Sequence, residues 1–215
     1  MKLQTKYRRI IEDVKSYYTD KILSYGPCAR GVDWNGEQSQ RIRFQQLLKV
    51  ITEPGDGFSI YDLGCGYGAL AEYIVECGFK CDYVGYDISE EMIACAGKLW
   101  QGRAHPQVSV RFSAGDMVGI ADYTVASGIF NVKLDTDEET WLNYVLGVLD
   151  DMNACSKKGF SFNILTKYSD APYMKHYLYY ADPSFFFDHC MRRYSRNVAL
   201  LHDYGLYEFT IIVGK

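Results

Sequence analysis

The run Ser59-Ile60-Tyr61-Asp62-Leu63-Gly64-Cys65-Gly66-Tyr67-Gly68 joins a short β-branched and aromatic stretch to an acid and three glycines at alternate positions. The helix-forming stretch Ala69-Leu70-Ala71-Glu72-Tyr73-Ile74-Val75 follows at once. A strand that turns into a helix through such a run brings backbone N–H groups close to a ligand, because no Cβ stands in the way. Asp62, at the strand end, offers a carboxylate to a cationic group. Two other readings fit a glycine-rich turn. A dinucleotide fingerprint spaces its glycines Gly-x-Gly-x-x-Gly, whereas Gly68 falls one position early and that motif requires no acid at Asp62. The remaining reading is a βα turn with no ligand.

Further along, Tyr83-Val84-Gly85-Tyr86-Asp87-Ile88-Ser89 ends a second apolar run in an acid. The two carboxylate oxygens of Asp87 can accept from both ribose hydroxyls of a nucleoside; otherwise Asp87 is an acid at a helix start. Ser89 fits an N-cap, with Glu90 and Glu91 in the first turn. Ile88 packs on a base or in the core, and Met92 lines a pocket or fills a gap. Phe112-Ser113-Ala114-Gly115-Asp116-Met117 sets a third acid behind a third run. Gln40 and Arg43 lie three apart and share a helix face. Arg43 pairs with a ligand carboxylate, or both residues face solvent. Trp34, in a loop between Gly31 and Gly36, closes over a ligand or plugs the core. Histidine is the side chain suited to acid–base work near neutral pH, so His202 is either a general base or a hydrogen-bonded hairpin histidine. Tyr25, Asp33, Lys167, Tyr168 and Tyr180 are weaker candidates for shaping a substrate pocket, and the segment Tyr173–Phe187 forms an aromatic wall or covers a sheet.

These residues need elements to hold them. Ile10, Ile11, Val14, Tyr17, Tyr18, Ile22 and Leu23 recur at helical spacing and predict an amphipathic helix over 4–24, broken by Tyr25-Gly26-Pro27. A loop spans Cys28 to Asn35, and a second helix is predicted over Glu37–Ile51, ended by Pro54-Gly55-Asp56-Gly57. Strand and helix then alternate: strand Phe58–Leu63, helix 69–77, strand Cys81–Tyr86, helix Glu90–Leu99, strands Val108–Ser113 and Tyr123–Ser127, helix Glu138–Ala154, strand Phe160–Leu165. That rhythm implies a parallel sheet with helices on both faces. Helix Pro183–Arg193 and two apolar strands, Arg196–His202 and Tyr207–Val213, close the chain as a hairpin.

A chain of 215 residues without repeats or a linker fits one domain, with residues 1–53 as helices and lid and 58–215 as the core. Net charge is −4, so there is no basic field to collect phosphates, which argues against a nucleic-acid partner. A small molecule is the expected partner. The seven cysteines are scattered with no metal-ligand spacing, so no metal is expected and reduced thiols are. Cys77 and Cys81 are separated by a loop and belong to different elements. Met1-Lys2-Leu3-Gln4-Thr5-Lys6 has no apolar segment behind it, and no stretch approaches the ~20 apolar residues of a membrane span. The expected location is the cytoplasm.

The Asp62 to Gly68 run, with Asp87 and Asp116 behind it, resembles motif I and its successors in the class I S-adenosylmethionine-dependent methyltransferases. The resemblance implies a Rossmann-like doubly wound α/β fold with a seven-stranded sheet, order 3-2-1-4-5-7-6, strand 7 antiparallel, plus an N-terminal helical lid. Dehydrogenase Rossmann domains lack the reversed strand that the closing hairpin supplies. It implies S-adenosylmethionine as cofactor, leaving as S-adenosylhomocysteine. Asp62 and the loop Gly64, Gly66 and Gly68 would meet the methionyl moiety, Asp87 the ribose, and Ile88, Met92, Asp116 and Met117 the adenine. Ser127 and Gly128 would border the methionyl chain, with Phe130 and Asn131 on the substrate side. The Asp/Asn-Pro-Pro-Tyr/Phe signature of amino methylation is absent from Tyr123–Asn131, which weighs against amide and adenine nitrogens as acceptors.

Trp34, Glu37-Gln38-Ser39-Gln40 and Arg43-Phe44, with Ala126-Ser127-Gly128-Ile129-Phe130-Asn131, Asn163-Ile164-Leu165, His202-Asp203-Tyr204 and Glu208-Phe209-Thr210, also resemble a group of small bacterial class I methyltransferases. In such a protein the methyl passes to a small-molecule acceptor. A non-catalytic protein that binds S-adenosylmethionine or a nucleotide is the alternative.

Overall fold

Residues 6–215 are described by the computed structural model, and the alternation read from the sequence is present throughout them. The reading of Met1–Lys6 as no signal segment (Lys6 apart) and the first two residues of the helix expected from residue 4 lie outside the described residues. The elements are α1 (Arg8–Tyr25), α2 (Glu37–Leu47), β1 (Phe58–Leu63), α3 (Ala69–Glu76), β2 (Cys81–Asp87), α4 (Glu90–Trp100), β3 (Val108–Ala114), β4 (Ala121–Ala126), α5 (Glu138–Ala154), β5 (Ser156–Leu165), α6 (Pro183–Arg193), β6 (Asn197–Leu201) and β7 (Glu208–Gly214). The sheet runs β3-β2-β1-β4-β5-β7-β6. The first five strands in that order pair parallel, while β7 pairs antiparallel with both β5 and β6. The expected order and reversed strand are both present.

Caps fix several boundaries. Ser89 accepts from the Met92 N–H at 3.3 Å and starts α4, and Asp137 accepts from the Thr140 N–H at 2.9 Å and starts α5. Several expectations shift, among them the fourth strand, which runs Ala121–Ala126 rather than Tyr123–Ser127. The second helix leaves α geometry at Leu47 and ends in a 3-10 turn over Leu48–Val50. The loop after α1 contains a 3-10 turn, Ala29–Val32. β5 starts at Ser156 rather than Phe160, because Ala121 pairs with Ser156 and the exposed Lys157 and Lys158 hide the strand's start in the sequence.

Both faces of the sheet are covered. On one side Phe44, Leu47, Ile60, Leu70, Ile74, Tyr83 and Val125 pack beneath α2 and α3. On the other, Trp141, Phe160, Phe162, Phe186 and Phe209 pack with α1, α5 and α6. The aromatic segment Tyr173–Phe187 divides: Tyr179 and Phe186 enter this core, whereas Tyr173 is exposed, so the segment covers the sheet and lines no part of the cavity at the sheet's carboxyl edge. All seven thiols are free, with Cys77 closing α3 and Cys81 opening β2. Among the described residues no helix is long and apolar enough to cross a membrane.

Phe162 lies at the centre of the aromatic side, with ring centroids 5.9 Å from Phe130 and 6.1 Å from Phe186. Phe162→Ala is expected to lower unfolding stability by about 3–5 kcal/mol. The drop would be read as a lower urea midpoint at unchanged slope.

Candidate functional site

The site begins where β1 ends. Gly64 and Gly66 hold φ of 76° and 55°, so the chain doubles back without a Cβ clash. The N–H groups of Gly64 and Cys65 both donate to the Tyr86 carbonyl, at 2.7 and 3.0 Å, and tie the turn to the end of β2. Asp87 completes the strap: one carboxylate oxygen accepts from the Gly66 N–H at 2.9 Å and the other from the Ser89 N–H at 2.9 Å. Asp62, buried one strand over, accepts from the Tyr83 hydroxyl at 2.6 Å.

Above this edge lies a cavity of about 300 Å³. Asp62, Gly64, Gly66, Asp87, Ile88, Met92, Asp116, Met117, Ser127, Gly128, Trp34 and Gln40, all expected from the sequence, line it. Gln40 is buried and accepts from the Tyr67 hydroxyl at 3.1 Å, so its helix face is not a solvated one. Trp34 is half-buried and borders the cavity rather than plugging the core.

Other expectations are corrected. Gly68 does not line the cavity; a Cβ there would stand 2.7 Å from the Phe112 ring, so its glycine serves helix-to-strand packing. Arg43 stands outside the cavity lining: Glu208 takes its Nε and Nη2 at 2.8 Å, and its Nη1 is buried with no hydrogen-bond partner among the described residues. His202 is exposed outside the cavity, its ring 6.1 Å from Tyr168 and 6.5 Å from Phe209. Phe130 and Asn131 turn into the protein: Phe130 packs on Phe162, and the Asn131 side chain accepts from the Leu165 N–H at 3.1 Å. Tyr25, Asp33, Lys167, Tyr168 and Tyr180 also stand outside the lining. Asp33 accepts from Tyr17 and Lys21, and Lys167 pairs with Asp182.

Residues missed by sequence reasoning complete the wall. Ile11, Val14 and Tyr18 of α1, Phe44 of α2, and Tyr144 and Val148 of α5 all line the cavity. The helical spacing of Ile11, Val14 and Tyr18 announced an amphipathic stripe, but spacing carries no information about which surface a stripe meets.

Burial drives the electrostatics. The Asp62 carboxyl is pushed up to about 7, chiefly by burial; the Tyr83 hydrogen bond opposes this and the nearby Asp87 adds to it. Asp87 is also raised by burial, against the N–H bonds from Ser89 and Gly66. The Cys65 thiol is driven well above its usual range, and the Tyr144 phenol up to about 12. The thiol and phenol therefore stay protonated near neutrality, and neither is an activated nucleophile. The hydroxyl of Ser127, at the end of β4, is buried with no hydrogen-bond partner among the described residues.

A protein of Mycobacterium tuberculosis named "Putative methyltransferase Rv1506c" is 54% identical over 165 residues, covering 77% of this chain and 98% of its own length. The chain belongs to the class I S-adenosylmethionine-dependent methyltransferases. A model of the methyltransferase domain matches residues 60–152 of this methyltransferase. Among solved structures, magnesium protoporphyrin IX methyltransferase from Synechocystis PCC 6803 with bound S-adenosylmethionine superposes with TM-score 0.62 at 13% identity, over 94% of this chain and 97% of that one. Human N-acetylserotonin methyltransferase gives 0.56 at 13% identity, over 99% and 68%. At these identities the structural likeness carries the fold.

The cavity fits the family's cofactor in charge and in polar capacity. Its lining holds Asp62, Asp87, Asp116 and Asp151 and, among the described residues, no Lys, Arg or His, which suits a sulfonium and an ammonium. The unpartnered Ser127 hydroxyl can engage a polar ligand group, meeting a need the protein leaves open.

The raised Asp62 carboxyl has a consequence for stability. It stays protonated in the folded chain while an unfolded one ionises, so its contribution is full below 3.8 and is lost as pH rises to about 7. Asn at this position cannot ionise. The stability of Asp62→Asn minus that of the wild type is expected to increase across that window and level off above it, as measured by urea unfolding at a series of pH values.

Proposed function

We propose that this methyltransferase carries the methyl group of S-adenosylmethionine to a small-molecule acceptor at oxygen, nitrogen or an activated carbon. The observation that carries the reading is the acid-lined cavity at the carboxyl edge of the sheet, where Asp62 and Asp87 stand in the last residues of β1 and β2 and Asp116 just beyond β3, three neighbouring strands. In this reading Asp62 holds the amino group of the methionyl moiety, ionising as it does so. Asp87 receives the ribose hydroxyls through the lone pairs that Gly66 and Ser89 leave over. Ile88 and Met92 flank the adenine, Asp116 and Met117 meet its edge at the rim, and Ser127 and Gly128 border the methionyl chain. The cofactor supplies an electrophilic methyl. The protein supplies orientation and exclusion of water, which can account for much of the rate without a dedicated base. The exposed position of His202 supports that division.

A small acceptor is favoured by charge. A net charge of −4 and an acidic cavity repel a phosphodiester chain. Relatives of this fold are named for acceptors as unlike as a magnesium porphyrin and N-acetylserotonin, so the acceptor is a property of the cavity rather than of the architecture. We read residues 1–215 as one domain with α1 and α2 as its lid, and the free thiols as suited to the reducing cytoplasm.

Calorimetry with S-adenosylmethionine and S-adenosylhomocysteine tests the cofactor, and turnover of labelled S-adenosylmethionine against a metabolite pool tests the transfer. Asp87→Ala is expected to weaken cofactor binding by about 1.5–3 kcal/mol, the scale of hydrogen bonds to a charged group. Binding of NADH with no binding of S-adenosylmethionine would overturn the proposal.

A further inference from the structure

One buried network joins the two ends of the chain and is not used by the function proposed above. Arg43 on α2 grips Glu208 on β7 through both arms of its fork, with side chains 8% and 0% exposed. Of the ion pairs among the described residues, this one alone has both partners buried. Asn163 on β5 donates to Glu208 at 3.0 Å and accepts from the Gly128 N–H at 2.6 Å. The guanidinium carbon of Arg43 stands 3.8 Å from the centre of the Trp34 ring. The same indole lies against Gly128, where a Cβ would come within 2.3 Å of it. Trp34 thus touches both a guanidinium and a glycine, and one hydrogen-bonded chain links the two.

Stability alone does not explain such a network. A buried ion pair contributes little over an apolar replacement of the same volume, because desolvation offsets the attraction. What a two-armed Arg–carboxylate contact supplies is direction: it sets the plane of the guanidinium, and the stacked indole follows. Asp33, the preceding residue, holds a left-handed φ of 60° while its carboxylate takes the Tyr17 hydroxyl and the Lys21 ammonium at 2.6 Å each. The backbone of Trp34 is therefore pinned from α1 as its ring is pinned from α2.

We infer that the Arg43–Glu208–Asn163 network is a positioning device, which holds the Trp34 indole and the Gly128 peptide as the cavity wall beside the methyl-transfer position. The C-terminal hairpin thereby sets the shape of a cavity that it does not line. The inference rests on the reading of this cavity as the cofactor site. Gly128 is the residue that makes the arrangement possible, since any side chain there would displace the indole.

The test titrates S-adenosylhomocysteine into the full chain and follows heat and tryptophan emission in parallel. Wild-type protein is expected to bind with a change in emission, and Trp34→Phe to remove most of that change. Arg43→Lys keeps the charge but loses the fork, and Glu208→Gln keeps the shape but loses the charge. Each is expected to halve the emission change or more, and to weaken binding about tenfold. The double variant Arg43→Met/Glu208→Leu leaves no lone buried charge and should recover thermal stability. It also carries the test if the single variants do not fold. A reduced emission response in a stable double variant supports the inference. A response restored together with stability makes the network a structural staple and overturns the inference, as does a full response in Trp34→Phe. Wild-type protein that gives no heat with S-adenosylhomocysteine overturns the cofactor reading itself, and the inference with it.

Discussion

Two carboxylates, Asp62 and Asp87, are buried at the carboxyl edge of the sheet, and among the described residues no cationic side chain pairs with either. Burying an acid is expensive unless donors surround it. Here the donors are a Tyr83 hydroxyl for one acid and two backbone N–H groups for the other. The remaining architecture answers to this constraint. The glycine turn must fold back far enough for Gly66 to reach Asp87, β1 and β2 must be adjacent and in register, and Ser89 must start a helix at the strand's end. A protein selected for stability alone has no need of this arrangement. A protein that receives a cationic nucleoside does, because the ligand supplies the missing positive charge.

The N-terminal helices turn that open edge into a cavity. α1 lays Ile11, Val14 and Tyr18 across it, and α2 brings Phe44 and Gln40. These contributions are apolar or neutral, so the acids keep their field and water is displaced from it. Neither arginine of α2 lines the cavity: Arg41 pairs with Glu76 and Arg43 with Glu208. A basic residue that sequence reasoning assigned to the ligand thus serves the frame, and the lining keeps a single sign of charge.

Parts of the site were legible because they obey local rules. Asp62, Gly64, Gly66, Asp87 and Asp116 all sit at strand ends or in the turns that follow them, and strand, turn and helix start are each written within a few residues of sequence. The closing hairpin was legible for the same reason. Gly68 misled because a glycine required by a ligand and one required by an approaching Phe112 ring look alike in sequence. His202 misled because lying at the correct edge of a sheet says nothing about how many strands separate a residue from the cavity. β5 lost its first residues to Lys157 and Lys158, whose exposure broke the apolar pattern without breaking the pairing.

By itself, the sequence determined the elements, their alternation, the acid-and-glycine turn and, through its resemblance to known methyltransferases, the order of the sheet. These follow from short-range sterics, capping and periodicity, which act between residues close in the chain. Only the tertiary structure decided which helix faces roof the cavity, that Arg43 meets Glu208, and that Trp34 rests on Gly128. Those contacts join residues far apart in sequence, and side-chain type alone does not choose among the partners that folding brings within reach.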